Sequence, residues 1–155
     1  MSKYQQESVN KILNELRLDQ DHYQHLYKKY KKCYRVLLFL EFLCQTTNIA
    51  SQSSALITLL TVTTIPVGIL FNSLGIITGG IGVFCRQLNY RKTKLMLKNK
   101  ELLKLSRHVE RSIIGEYLNK ENITTEDYNL ILKLIDTYYQ QRTDIVTKVS
   151  LDQPK

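Results

Sequence analysis

Three histidines and three cysteines are the side chains of this 155-residue chain best suited to metal or nucleophile chemistry. His22 and His25 stand three apart, on one face of a helix, with Cys33 two turns further on. Two imidazoles and a thiolate could fill three corners of a zinc tetrahedron, but no fourth ligand stands near them. The ordinary reading, exposed helix histidines, is preferred. His108 has no visible partner. Cys33, Cys44 and Cys85 are an odd number at no metal-like spacing, and read as reduced, small apolar residues. No Ser–His–acid order, paired acidic motif or Cys-x-x-Cys occurs. The expectation is therefore no enzyme, no catalytic residue, no metal and no cofactor.

A different chemistry, anchoring at an interface, is written into "YQHLYKKYKKCYR". Tyr23, Tyr27, Tyr30 and Tyr34 recur at helical spacing, and Lys28, Lys29, Lys31, Lys32 and Arg35 fill the other faces. Tyrosines settle at lipid headgroup depth and lysines on anionic lipid. Lysines with aromatics also suit nucleic acid, through phosphate neutralisation and base stacking. The bland reading is a tyrosine seam in a helical bundle with a solvated lysine face. The neighbouring sequence favours the interface.

That neighbour runs from Val36 to Cys85 and contains one ionisable carboxylate, Glu41, with no Lys, Arg, Asp or His. It exceeds the ~20 residues of a single span and suits two spans with a short turn. The preferred turn is Thr63–Gly68, because Pro66 biases its predecessor away from helix. This sets a first arm from Val36 to about Val62 and a second from Pro66 to about Leu88. The competing turn, Thr47–Ser54, leaves a short first arm. Basic residues border the stretch on both sides: Lys28–Arg35 before it, then Arg86, Arg91, Lys92, Lys94, Lys98 and Lys100. Retention of Lys and Arg on the cytoplasmic side predicts a membrane protein with both termini cytoplasmic.

Within the second arm, Gly75-Ile-Ile-Thr-Gly79 is a GxxxG match and Gly82 extends the row of small residues. Such rows let membrane helices approach closely. The partner is either Ala50, Ser51, Ser54 and Ala55 of the first arm or a second copy, so a homo-oligomer is expected. "GIITGGIG" lacks the Lys and Ser/Thr of a phosphate loop. Glu41 is a functional candidate as an acid in lipid. The preferred reading is that it stays hydrated near the interface or pairs with Arg86.

The flanks read as helices. Val9, Leu16, Tyr23, Tyr30 and Leu37 repeat at seven, with Ile12, Leu26, Cys33 and Leu40 between them and Asp19 as the exception. This predicts one helix over 4–35, running without a turn signal into the first arm. Leu88, Leu95, Leu102 and Val109, extended by Leu105, Ile113 and Tyr117, predict a second long helix over 87–118. "NKENITTEDY" breaks it, and Thr124 or Thr125 before Glu126 and Asp127 is a helix start. A last helix, about Glu126–Thr147, would pack Tyr128, Ile131, Leu132, Ile135, Tyr138 and Tyr139 inward. The sequon at Asn122 is fortuitous under this topology, and no cleavable signal peptide is expected.

The layout resembles a family of uncharacterised proteins common in invertebrate genomes and associated with virus-like mobile elements of the Maverick/Polinton type. "LYKKYKKCYRVL" is similar to its Tyr/Lys-rich lead, "GIITGGIGVF" to its second apolar arm, and "YLNKENITTEDYNLILKLIDTYYQQR" to its closing unit. The first arm here has fewer Gly and Ala. The resemblance implies a virion or viral membrane protein with no catalytic residues.

The expected fold is all-α: long helices flanking an apolar helical hairpin, with a C-terminal amphipathic helix packing back as a three-helix stalk. Its parts are residues 1–35, the hairpin 36–88, and 89–155. Net charge of +8 and a pI near 9.4 favour anionic lipid headgroups as partner. The expected role is a non-enzymatic membrane hairpin that scaffolds, remodels or permeabilises by self-association. A soluble helical oligomer or virion pore-former that buries the apolar stretch between subunits is the alternative. A nucleic-acid-binding protein ranks behind both.

Overall fold

The computed structural model describes residues 3–60, 65–119 and 124–151. The fold is all-α. Helix α1 covers Lys3–Leu60, α2 covers Ile65–Ser112, and α3 covers Thr125–Leu151. A π-helical turn, Ile113–Leu118, follows α2 directly. The helix break expected near Pro66 falls between α1 and α2; Thr63 and Thr64 themselves lie outside the described residues. Pro66 sits in the first turn of α2, where its missing N–H costs no helical bond. The competing turn over Thr47–Ser54 does not form, and those residues are helical in α1. Their hydroxyls and amides bond within the helix instead of terminating it.

The chain divides into two compact units, Met1–Lys29 with Lys94–Lys155, and Tyr30–Thr93. The first is a three-helix bundle. Val9, Leu13 and Leu16 of α1, Val109 and Ile113 at the end of α2, and Ile131, Ile135 and Tyr138 of α3 form its main core. Tyr23, Leu102 and Leu103 form a second cluster. Burial of side chains such as Ile131 and Ile113, each 0 % exposed, contributes about 2 kcal/mol apiece. Polar contacts set the directions. Glu110 of α2 meets Arg17 and Gln20 of α1, and Arg107 meets Gln24, an antiparallel pairing. Ser8 meets Tyr128 and Asp19 meets Tyr138, so α3 runs parallel to α1.

Some sequence expectations shift by a turn. Asp19, the exception in the heptad, accepts a hydrogen bond from Tyr138 Oη at 2.8 Å and pairs with Arg142 at 3.1 Å. The seam therefore uses a polar residue there and takes Leu13 as an additional core position. Leu40, expected in the seam, is exposed, and so are Leu132 and Tyr139 of α3. The buried stripe of α3 is Ile131, Ile135 and Tyr138, with Leu134 packed beside it. Leu132 lies about 100° round the helix from Ile131, outside that stripe.

The α3 start is a reciprocal cap. Asp127 N–H donates to Thr124 Oγ1 at 3.1 Å, and Thr124 N–H donates to Asp127 Oδ2 at 2.9 Å. At the end of α2, Asn119 N–H donates to Ile114 O, the five-residue bond of a π turn.

Burial and the Asp19 hydrogen bond push the Tyr138 hydroxyl well above its ordinary value, so it stays a donor. Glu110 moves the other way. Hydrogen bonds from Arg17 Nε at 2.9 Å and Gln20 Nε2 at 2.7 Å lower its carboxyl below the ordinary range. A depressed folded-state pKa stabilises the fold above the unfolded value, and the stabilisation is lost as pH falls through the folded value. Glu110→Gln should therefore flatten the acid limb. Between about pH 6 and about pH 3, the thermal midpoint of the variant, followed by far-UV circular dichroism, should fall less than that of the parent.

Candidate membrane hairpin and its polar interior

The second unit, Tyr30–Thr93, is a hairpin of two antiparallel arms from α1 and α2. Gly75, Gly79 and Gly82 face the first arm. A Cβ placed on Gly75 would lie 3.3 Å from Asn48 Oδ1, one on Gly79 would lie 3.2 Å from Asn48 Nδ2, and one on Gly82 would lie 3.4 Å from Cys44 Cβ. The row therefore packs within the chain. Its partners are Cys44, Asn48, Ser51 and Gln52, a set that starts about two turns before Ala50–Ala55 and shares only Ser51 with the expected one. Ala50 is exposed. Gly80 has open space around it and takes no part in the contact.

Polarity in this unit is reversed. Among its described residues the buried ones are Ser51, Ala55, Gly75, Gly82, Cys85 and Asn89, all small or polar. Its large apolar side chains point outward: Phe39 and Phe42 are each 61 % exposed, Leu70 69 %, Ile76 71 % and Val83 70 %. A water-soluble helical hairpin has the opposite arrangement, because burying apolar area is what drives its arms together.

The polar groups of this unit bond locally. Each hydroxyl of Thr47, Ser51, Ser53, Ser54, Ser73 and Thr78 donates to the carbonyl four residues earlier, at 2.8 to 2.9 Å. Gln52 Nε2 donates to Asn48 Oδ1 at 3.1 Å. Such local bonds remove donors from the helix surface without water. Among the described residues, one helix is long and apolar enough to cross a membrane, and it belongs to the second arm. The first arm carries the polar residues Glu41, Gln45, Asn48 and Gln52. Those four are spaced 4, 3 and 4, one stripe of a helix. Gly75, Gly79, Gly82 and Arg86 have the same spacing on the opposing arm.

Glu41 and Arg86 line one cleft of about 170 Å³ with Cys44, Gln45, Asn48 and Thr78. The expected ion pair between them is not formed. Glu41 accepts instead from Gln45 Nε2, at 3.4 Å. An adjoining depression is lined by Arg35, Leu38, Phe39, Glu41, Phe42 and Gln45. Sequence reasoning singled out Glu41 and Arg86 but missed Gln45, Asn48 and Thr78. The 4-3-4 polar spacing was the signal that could have found them.

The basic border residues sit as follows. In the hairpin unit Lys31, Lys32, Arg35, Arg86 and Arg91 are exposed, while Tyr30, Tyr34 and Lys92 are half-buried. Lys92 Nζ lies 5.6 Å from the Tyr30 ring centroid, at cation–π range. In the bundle unit Lys28 and Lys29 are exposed, and Tyr27 and Lys94 are half-buried. His22 and His25 are exposed, and among the described residues no group of three or more His, Cys, Asp or Glu is placed to hold a metal.

Fold and site together define an all-α protein with a three-helix bundle and an inverted-polarity hairpin. No protein-family model, curated protein or solved structure matches the chain.

The glycine contacts make opposite predictions for adjacent residues. Gly79→Leu must displace Asn48 and should lower the thermal midpoint of the full chain in detergent micelles. Gly80→Ala meets nothing and gains helix propensity, so it should leave the midpoint unchanged or raise stability by up to about 1 kcal/mol. Equal losses for both would contradict the packing described.

Proposed function

We propose that the chain is an integral membrane protein whose hairpin lies in a bilayer with both termini on the cytoplasmic side. Its role is structural: it scaffolds, remodels or permeabilises the membrane by self-association, without enzymatic chemistry. The resemblance in layout adds a setting, a virus-like mobile element. The observation that carries the reading is the reversed polarity of residues 30–93, with Ser51, Gly75, Gly82 and Asn89 inside and Phe39, Phe42, Leu70 and Ile76 outside. A lipid solvent accounts for this arrangement, because it removes the cost of outward apolar area and makes close backbone packing the source of cohesion. Dimensions agree. Val36–Leu60 rises about 37 Å and Ile65–Cys85 about 31 Å at 1.5 Å per residue, against an apolar core of about 30 Å.

Arg35 then marks the hairpin base, with Lys31, Lys32, Arg91 and Lys92 at headgroup level and Arg86 opposite Glu41 just below. Anionic lipid is the partner that this charge favours, ahead of nucleic acid. A soluble oligomer that buries the same apolar surface between subunits is the second reading, favoured by the polar residues Glu41, Gln45, Asn48 and Gln52 along the first arm.

Alkaline carbonate extraction and glycosylation mapping separate the two. The hairpin reading expects the full chain to stay in the membrane pellet. It also expects acceptor sites to be modified near Thr64 and not at either terminus. Release into the supernatant, or a modified terminus, would falsify it.

A further inference from the structure

We infer that the open end of the hairpin binds one phospholipid with an amine-bearing zwitterionic headgroup of the phosphoethanolamine kind. The inference rests on the membrane reading above. Its first support is an opposed pair of charges left apart. Glu41 and Arg86 line the same cleft of about 170 Å³, yet no ion pair within 4.0 Å joins them among the described residues. In poorly polarisable surroundings such a pair attracts strongly, and each charge left without a counter-ion is costly. A zwitterion whose ammonium and phosphate are separated by a short linker satisfies both ends: ammonium on the Glu41 carboxylate, phosphate on the Arg86 guanidinium. Gln45, Asn48 and Thr78 supply neutral donors and acceptors between them. Gly79 and Gly82 line the same cleft, where they bring the two arms close.

The second support is the adjoining depression. It shares Glu41 and Gln45 with the cleft, then opens along Leu38, Phe39 and Phe42 with Arg35 at its rim. Phe42 gives an acyl chain an apolar contact beside the headgroup, and Arg35 at the rim places a second guanidinium on the border side of the cleft. Glu41 is six residues past Arg35, about 9 Å along the helix, which is headgroup-to-glycerol depth below the basic border.

The chemistry ranks the candidate lipids. A choline headgroup cannot donate hydrogen bonds to Glu41, since its nitrogen carries no hydrogen. A glycerol headgroup offers no cation and leaves a phosphate facing the carboxylate. Neither satisfies the pair. The lysines at the border attract any anionic lipid through a screened field, so that attraction weakens with salt, whereas the choice of headgroup at the cleft rests on hydrogen bonding to Glu41.

The test uses the full chain in detergent micelles at 0.15 M salt, titrated with phosphatidylethanolamine, phosphatidylcholine or phosphatidylglycerol and read by native mass spectrometry. One phosphatidylethanolamine should bind about tenfold more tightly than phosphatidylcholine, the difference expected for a charged hydrogen bond gained or lost. Glu41→Gln should erase that preference, and Arg86→Gln, which removes the phosphate's partner, should weaken binding of the lipid. Both variants should keep the parent helical circular dichroism and carbonate resistance. Equal binding of all three lipids, or a preference that survives Glu41→Gln, overturns the inference. A lipid-free dimer that Glu41→Gln dissociates overturns it too, by making a second copy the occupant. A carbonate-resistant chain with no lipid preference removes this site and leaves the hairpin reading standing. A carbonate-released chain removes the hairpin reading and this inference with it.

Discussion

Close approach of two helices at Gly75, Gly79 and Gly82 is the contact on which the hairpin depends. Asn48 reaches the backbone of the second arm only because two of these residues lack a Cβ. A larger residue at either position would move the arms apart by the width of a side chain and open the polar interior to its surroundings. Among the described residues that interior contains Ser51, Cys85 and Asn89 and no fully buried large apolar residue, so water exclusion is a weak force for holding it shut. Backbone proximity and local hydrogen bonds have to do so, as they do between helices in lipid.

The bundle unit works by the other rule. Its core is Val9, Leu13, Leu16, Val109, Ile113, Ile131, Ile135 and Tyr138, and its polar contacts lie around that core. The Tyr138–Asp19–Arg142 network and the Glu110 clamp fix which helix faces which, and the apolar burial supplies the stabilisation. One polypeptide therefore carries two solvation schemes. Glu41 and Arg86 belong to neither, since they share a cleft without pairing and retain the capacity to meet charges from outside.

The reversal of polarity also explains why the first arm reads as a marginal span. Its Gln45, Asn48 and Gln52 would be expensive on a lipid-facing surface. Asn48 meets the glycines of the second arm and bonds to Gln52. Gln45 lines the cleft and bonds to Glu41. Val36, Phe39, Leu43, Ile49 and Leu56 are exposed along the arm, and Gln45, Thr46, Thr47, Gln52 and Ser53 are exposed among them. Average composition is thus a poor guide to a helix whose two faces meet different environments.

Much of this was legible from residue order. The all-α fold, the three helices, the hairpin in the middle third and the Thr124 cap follow from periodicities and capping chemistry, which are local. The glycine row announced a close contact because only small residues permit one. Residue order favoured the Pro66 region over Thr47–Ser54 without deciding between them, since both carry breaker residues. Tertiary pairing decided that, by giving Asn48 and Ser51 a partner arm that rewards a continuous helix. It also decided that Leu13 joins the core while Leu40 and Leu132 stay outside, because packing angle shifts a stripe by one position. The meeting of Glu41, Asn48, Thr78 and Arg86 in one cleft depended on the register of two arms some forty residues apart in the chain, and that register is set by the glycine contacts rather than by any neighbouring residue.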